Sequence, residues 1–275
     1  MPSERERIDS RESKKGELDR LMHDAKRLFA VVAIEYALVA SILTYTLRPV
    51  SWISNWGGYV LASPYLNRDI TGVSSIIRVP YGKAEKSLRF EFTNKVQWIG
   101  IGGAYEKNLV QEGIYVKKFP GINIISYGTW YEIYPKMPMI DTSMQVKPGD
   151  EIYARIERAG REGDSWLFYM RDMTNGEYFR KVMKCSMRGN SADWVVENPE
   201  YLFGLVHLTP TTETSFENAY VYFGNMKEPI SRVPAVSTEL EYYLSGKKEI
   251  LKIYPSIVNP KRNSFILQKS IVPNK

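Results

Sequence analysis

Thr129-Trp130-Tyr131-Glu132-Ile133-Tyr134-Pro135 decides how this chain is read. In a helix these side chains would scatter around the axis. In a strand they separate by parity, with Trp130, Glu132 and Tyr134 on one face and Tyr131 and Ile133 on the other. β-branched and aromatic residues favour the extended form, and Pro135 closes the run. One face then joins two aromatics to a carboxylate. That combination suits a binding groove. Periodicity alone is equally served by a half-exposed strand with a solvated Glu132, which is the simpler reading.

The same texture extends in both directions. Strands are expected at Gly58–Ala62, Thr71–Val79, Ser87–Thr93, Val96–Ile101, Leu109–Val116 and Asn123–Tyr134. Others are expected at Glu151–Glu157, Trp166–Met170, Tyr178–Cys185, Asp193–Glu197 and Glu217–Phe223, then at Glu239–Leu244, Glu249–Tyr254 and Ser264–Ile271. Turn signals divide them, among them Asn94-Lys95, Pro148-Gly149-Asp150, Thr174-Asn175-Gly176 and Arg188-Gly189-Asn190. Many short strands at this spacing indicate an all-β sandwich or barrel. No amphipathic helix of useful length follows residue 50.

Composition narrows the chemistry. The 275 residues are 44% hydrophobic and 25% charged with a net charge of +6, which excludes a wholly disordered chain and a polytopic membrane protein. A single cysteine, Cys185, permits no intrachain disulfide or cysteine metal site and reads as structural. With only His23 and His207, a multi-histidine zinc centre or a Ser-His-Asp site is nearly excluded. Hydrolytic chemistry would rest on carboxylates, amides, hydroxyls or lysine. No cofactor is implied. Trp98-Ile99-Gly100-Ile101-Gly102-Gly103 lacks the helix that a phosphate-binding loop needs. Basic residues are scattered along the chain, and nucleic acid is set aside as a partner.

The N-terminus has a different character. Residues 1–27 carry eight basic and seven acidic side chains and read as a solvated, partly helical tail. Residues 28–47, between Arg27 and Arg48, contain one charge, Glu35. At about 1.5 Å per residue this run spans roughly 30 Å, a hydrocarbon thickness. It reads as an uncleaved transmembrane signal anchor in contact with lipid. The basic flank puts residue 1 in the cytoplasm and residues 48–275 outside as one extracytoplasmic domain, a single-pass arrangement. Glu35 is either a neutral acid in one helix or a helix–helix contact with a partner.

Four stretches are specific together. They are Ser54-Asn55-Trp56-Gly57-Gly58-Tyr59-Val60; Trp98 to Gly103 with Leu109-Val110-Gln111-Glu112-Gly113; Trp130-Tyr131-Glu132-Ile133-Tyr134-Pro135; and Ala192-Asp193-Trp194-Val195-Val196-Glu197-Asn198-Pro199. In order and spacing they resemble the glutamic peptidases, the eqolisin or G1 family, over about Ser54 to Phe223. The resemblance implies a curved, lectin-like jelly-roll sandwich of two antiparallel sheets. It implies a catalytic pair at Gln111 and Glu197, a substrate groove with Trp56, Trp130, Glu132 and Tyr134, and a peptide or protein substrate. Such an enzyme works at acidic pH. The alternative is a lectin-like surface module that uses Trp56, Trp130 and Tyr134 to bind without cleaving.

Three positions depart from the family's usual residues. Gly102, Gly128 and Tyr115 stand where members often carry Asp. Neighbouring carboxylates tune one another's protonation, so their loss leads us to expect a pH optimum above that of the fungal enzymes.

Overall fold

A computed structural model describes residues 52–62, 68–85, 88, 91–104, 106–121, 124–160, 164–201, 204–243 and 249–273. All lie within the compact unit Arg48–Lys275. The proposed anchor at 28–47, with Glu35, falls outside the described residues. Among those described, no helix is long and apolar enough to cross a membrane.

The chain runs through β1 (Trp52–Ser54), β2 (Trp56–Ala62), β3 (Gly72–Arg78), β4 (Thr93–Gly102), β5 (Leu109–Lys118), β6 (Ile125–Tyr134) and β7 (Met137–Asp141). Then come β8 (Glu151–Ala159), β9 (Ser165–Asp172), β10 (Tyr178–Lys184), β11 (Ser191–Glu197), β12 (Glu200–Tyr201) and β13 (Gly204–Leu205). The last are β14 (Thr214–Phe223), β15 (Met226–Pro229), β16 (Val236–Thr238), β17 (Leu240–Tyr243), β18 (Glu249–Pro255) and β19 (Phe265–Pro273). A seven-stranded sheet has the order β16-β2-β11-β4-β5-β6-β7. A ten-stranded sheet has the order β1-β17-β18-β19-β14-β3-β8-β9-β10, with β15 added to β14. Every pairing within the two sheets is antiparallel, as the strand pattern implies.

The core lies between the sheets. Ile99, Ile101, Val110, Ile133, Trp194 and Val196 of the smaller sheet meet Ile77, Ile156, Trp166, Phe168, Phe216 and Val221 of the larger. Each large apolar side chain so buried contributes about 1.5–3 kcal/mol. Polar ties also cross the core, among them the Trp194 indole N–H donating to Ser74 O at 3.2 Å. Glu112, fully buried on β5, accepts the Arg155 backbone N–H of β8 at 2.8 Å. Burial pushes its carboxyl well up, against the two backbone donors Arg155 and Tyr169.

Both faces of the smaller sheet are covered at its centre. β4 is buried along its whole length, because the outward face has its own cluster of Val96, Trp98, Leu109, Tyr115, Trp130 and Val195. This sheet carries the candidate site.

Two expectations fail near Asn94. Of the strand expected at Ser87–Thr93, the described residues Leu88, Glu91 and Phe92 lie outside any strand, and β4 starts at Thr93. The turn expected at Asn94-Lys95 lies inside β4. Tertiary contacts overrode the polar signal. The Asn94 N–H donates to His207 O, and Lys95 Nζ donates to Thr211 at 2.7 Å and Thr214 at 2.5 Å. His207 itself is buried against Glu91, its Nε2 3.2 Å from a carboxylate oxygen. Cys185 is buried and packs by Met187, which fits a structural role.

Candidate active site

Register builds the outward face of the smaller sheet as a lattice. One row reads Val60 (β2), Asp193 (β11), Gly100 (β4), Gln111 (β5), Glu132 (β6). The next reads Gly58, Val195, Trp98, Gly113, Trp130, and the third reads Trp56, Glu197, Val96, Tyr115, Gly128. Gln111, Glu132, Glu197, Trp56 and Trp130 therefore share one face. Tyr134 shares it by parity and is 54% exposed.

Gln111 and Glu132 are direct cross-strand partners. Gln111 Nε2 donates to Glu132 Oε2 at 2.5 Å, and Gln111 Oε1 has no hydrogen-bond partner among the described residues. Burial raises the Glu132 carboxyl, while the Gln111 amide and the Met139 backbone pull it back. Gln111 is itself nearly covered, so its amide is held in a fixed direction.

Glu197 has a separate set of donors. Trp98 Nε1 donates to Glu197 Oε2 at 2.8 Å and Asn55 Nδ2 to Glu197 Oε1 at 3.1 Å. Trp56 is a further side-chain donor. These favour the carboxylate, yet burial outweighs them and, with the Glu132 charge, pushes the group up to about 8. Trp56 and Trp98 meet edge to face, ring centroids 4.9 Å apart. Gln111 and Glu197 lie two strands and four residues apart, about 16 Å between Cα atoms on a regular sheet. They share one face of the sheet without a direct hydrogen bond.

Trp130 forms floor more than wall. It is 2% exposed, and its indole N–H donates to Ile114 O at 3.1 Å. Trp56 is half-buried beside Glu197 on the same face.

The substituted acidic positions have a steric account. Gly102 adopts φ +91°, and a Cβ there would meet Asn108 O at 2.2 Å, so no aspartate fits this backbone. A Cβ on Gly128 would meet the Tyr115 ring at 2.4 Å. Tyr115 and Gly128, directly opposite in β5 and β6, therefore exchange volume as a pair. The Tyr115 hydroxyl donates to Asp141 Oδ2 at 3.2 Å, and Lys117 Nζ sits 3.6 Å from the ring centroid.

Sequence reasoning gave no role to Trp98 or Asn55. Both lay inside the quoted motifs but 99 and 142 residues from Glu197, so no local signal joined them to it. Asp193 is in register with Gln111 across Gly100 but is fully buried, with the Ser191 hydroxyl 3.4 Å away. Burial pushes its carboxyl well up.

An antiparallel sandwich with amide and carboxyl groups over an indole floor defines a glutamic-peptidase-like class. The description of the Peptidase A4 family matches residues 54–236, and the chain belongs to that family, as its motifs led us to expect. Solved structures share the fold. A scytalido-glutamic peptidase with a transition state analog inhibitor matches at TM-score 0.63 and 19% identity, covering 80% of this chain and all of its own. SCP-B, an eqolisin in complex with the tripeptide Ala-Ile-His, matches at 0.60 and 17%, with 80% and 100% covered. Aspergilloglutamic peptidase from Aspergillus niger matches at 0.52 and 22%, with 65% and 99% covered. Comparison with curated proteins gave no match.

Proposed function

We propose that this member of a peptidase family is an active endopeptidase that cleaves peptide bonds with Glu197 and Gln111. The observation that carries the reading is the opposed pair on one groove face, with Trp98, Asn55 and Trp56 all donating to Glu197. An extended peptide lies between the pair. Ionised Glu197 takes a proton from water as the oxygen attacks the scissile carbonyl carbon. The carbonyl oxygen becomes an oxyanion. Gln111 has two amide protons; one is committed to Glu132 and the other is free for that oxyanion. Collapse breaks the C–N bond, and Glu197 returns its proton to the leaving amine. Glu132 acts as a positioning residue, and Trp56 and Tyr134 line the path of the substrate.

The general base must be ionised, and Glu197 stands near 8. Activity therefore rises from acid towards neutral pH, which supports the expectation of an optimum above the fungal range. The enzyme is tethered through residues 28–47 with its peptidase domain outside the membrane; resistance to alkaline carbonate extraction is the expected result.

The test is digestion of a denatured protein by the purified full-length chain from pH 3 to 9, with a pepstatin-type inhibitor and a chelator present. Fragments that appear under both inhibitors support the reading. No fragments at any pH would leave a binding module that uses Trp56, Trp130 and Tyr134.

A further inference from the structure

The outer face of the ten-stranded sheet, opposite the groove, carries a second ordered array. Register across β14, β3, β8, β9 and β10 gives the row Glu217, Ile76, Tyr153, Arg171, Tyr178. The adjacent row across β3, β8, β9 and β10 is Ser74, Arg155, Tyr169, Arg180. Tyrosine and arginine thus alternate in both directions. Burial alternates with them: Ile152, Ala154, Ile156, Phe168 and Met170 point into the core between these residues. The rings form a track, with Tyr153 to Tyr169 6.3 Å and Tyr169 to Tyr178 6.4 Å between centroids. Tyr178 is 64% exposed, and Arg171 and Arg180 are exposed. Arg155 pairs with Glu157 and also lies 5.0 Å from the Tyr222 ring.

The row does not end on open surface at Glu217. That residue also lines a cleft of about 680 Å³, with Arg78, Tyr81, Glu213, Ser215 and Arg262 among its walls. Through Glu217 and Ile76 the cleft adjoins the track in the same register row.

We propose that this strip binds a polysaccharide chain bearing carboxylate groups. Surface tyrosine rings, Tyr178 exposed and Tyr153 and Tyr169 half-buried, cover the apolar faces of sugar rings and keep a polar tip for their hydroxyls. The interleaved arginines give the track a positive balance and a planar donor geometry that fits a carboxylate. Glu213, Glu217 and Ser215 in the cleft accept from hydroxyl groups, which sugars supply. Arg78 and Arg155 are paired with Glu151 and Glu157, so the positive balance rests on Arg171, Arg180 and Arg262.

Isothermal titration of the full-length chain with polygalacturonate tests this, beside neutral dextran, a (dT)20 oligonucleotide and phosphatidylglycerol vesicles. The double substitution Arg171→Ala, Tyr178→Ala alters two exposed side chains and is checked for unchanged circular dichroism. Expected is binding of polygalacturonate that weakens with salt, at least tenfold weaker binding in the variant, and weaker binding of dextran. Absence of polygalacturonate binding overturns the proposal, as does equal binding by the variant. A larger effect of the variant on the oligonucleotide or the vesicles overturns it too. None of these readings involves proteolysis, so they stand or fall apart from the peptidase assignment.

Discussion

Replacing Trp98 with Phe removes one of the hydrogen bonds to Glu197 and leaves an aromatic ring in its place. The indole N–H now donates to Glu197 Oε2 at 2.8 Å and favours the ionised form. A hydrogen bond to a charged group is worth about 1.5–3 kcal/mol. At about 1.4 kcal/mol per pKa unit, its loss raises Glu197 by about one to two units. The group starts near 8, so the variant's carboxyl ionises only in alkaline solution. Below that point the rate follows the ionised fraction, and kcat/KM at pH 6 falls about 10- to 100-fold. The rising limb of the pH profile moves to higher pH, and activity recovers as pH increases. Trp98 is fully buried, so thermal unfolding is followed in parallel. The assay is kcat/KM for a fluorogenic peptide from pH 5 to 10. A profile that drops uniformly, with its limb unmoved, refutes the link between indole and carboxyl.

Further outcomes are expected. Gln111→Ala lowers kcat by about 10²–10³ with little change in KM, the size of a lost oxyanion donor, and leaves the pH limb in place; an equal loss in 1/KM would make Gln111 a binding residue. Glu112→Gln becomes more stable relative to the parent as pH rises from 5 to 8. A buried acid whose folded pKa is raised binds more protons folded than unfolded, so its contribution declines as pH climbs above the unfolded value, by at most about 1.4 kcal/mol per pH unit. Parallel denaturation midpoints across that range would contradict the assignment. Gly128→Ala destabilises by about 1–3 kcal/mol through overpacking against the Tyr115 ring, and Tyr115→Gly in the same chain restores most of it. Additive losses in the double variant would break the proposed exchange of volume.

How far the residues spoke for themselves depended on range. Trp130, Glu132 and Tyr134 were assigned to one face by alternation alone, because the parity of a strand is local. The long strands around Gln111 and Glu197 were legible for the same reason. Asn94-Lys95 misled because its partners, His207, Thr211 and Thr214, are more than a hundred residues away. The donors to Glu197 were hidden likewise: Trp98 is 99 residues distant and Asn55 is 142. Motif resemblance recovered the face on which these residues gather, since it carries the memory of a register that no single strand encodes. It did not carry the burial that sets the Glu197 carboxyl near 8, nor the cover that turns Trp130 into floor. The tyrosine–arginine array lies on the consecutive strands β8, β9 and β10, and what the sequence withheld was the hairpin register that sets its tyrosines opposite its arginines.

The central claim is that the Glu197 carboxylate activates the attacking water. Its most direct measurement is the turnover of Glu197→Gln beside the parent, in the full-length chain, at pH 7.5 on one peptide. The substitution keeps the side chain's size and removes the base, and its amide NH2 takes the place of one oxygen that accepts from Trp98 or Asn55. The account predicts that cleavage falls by at least three orders of magnitude while the chain stays folded by circular dichroism. Cleavage within tenfold of the parent would contradict it and move the chemistry to another carboxyl on that face.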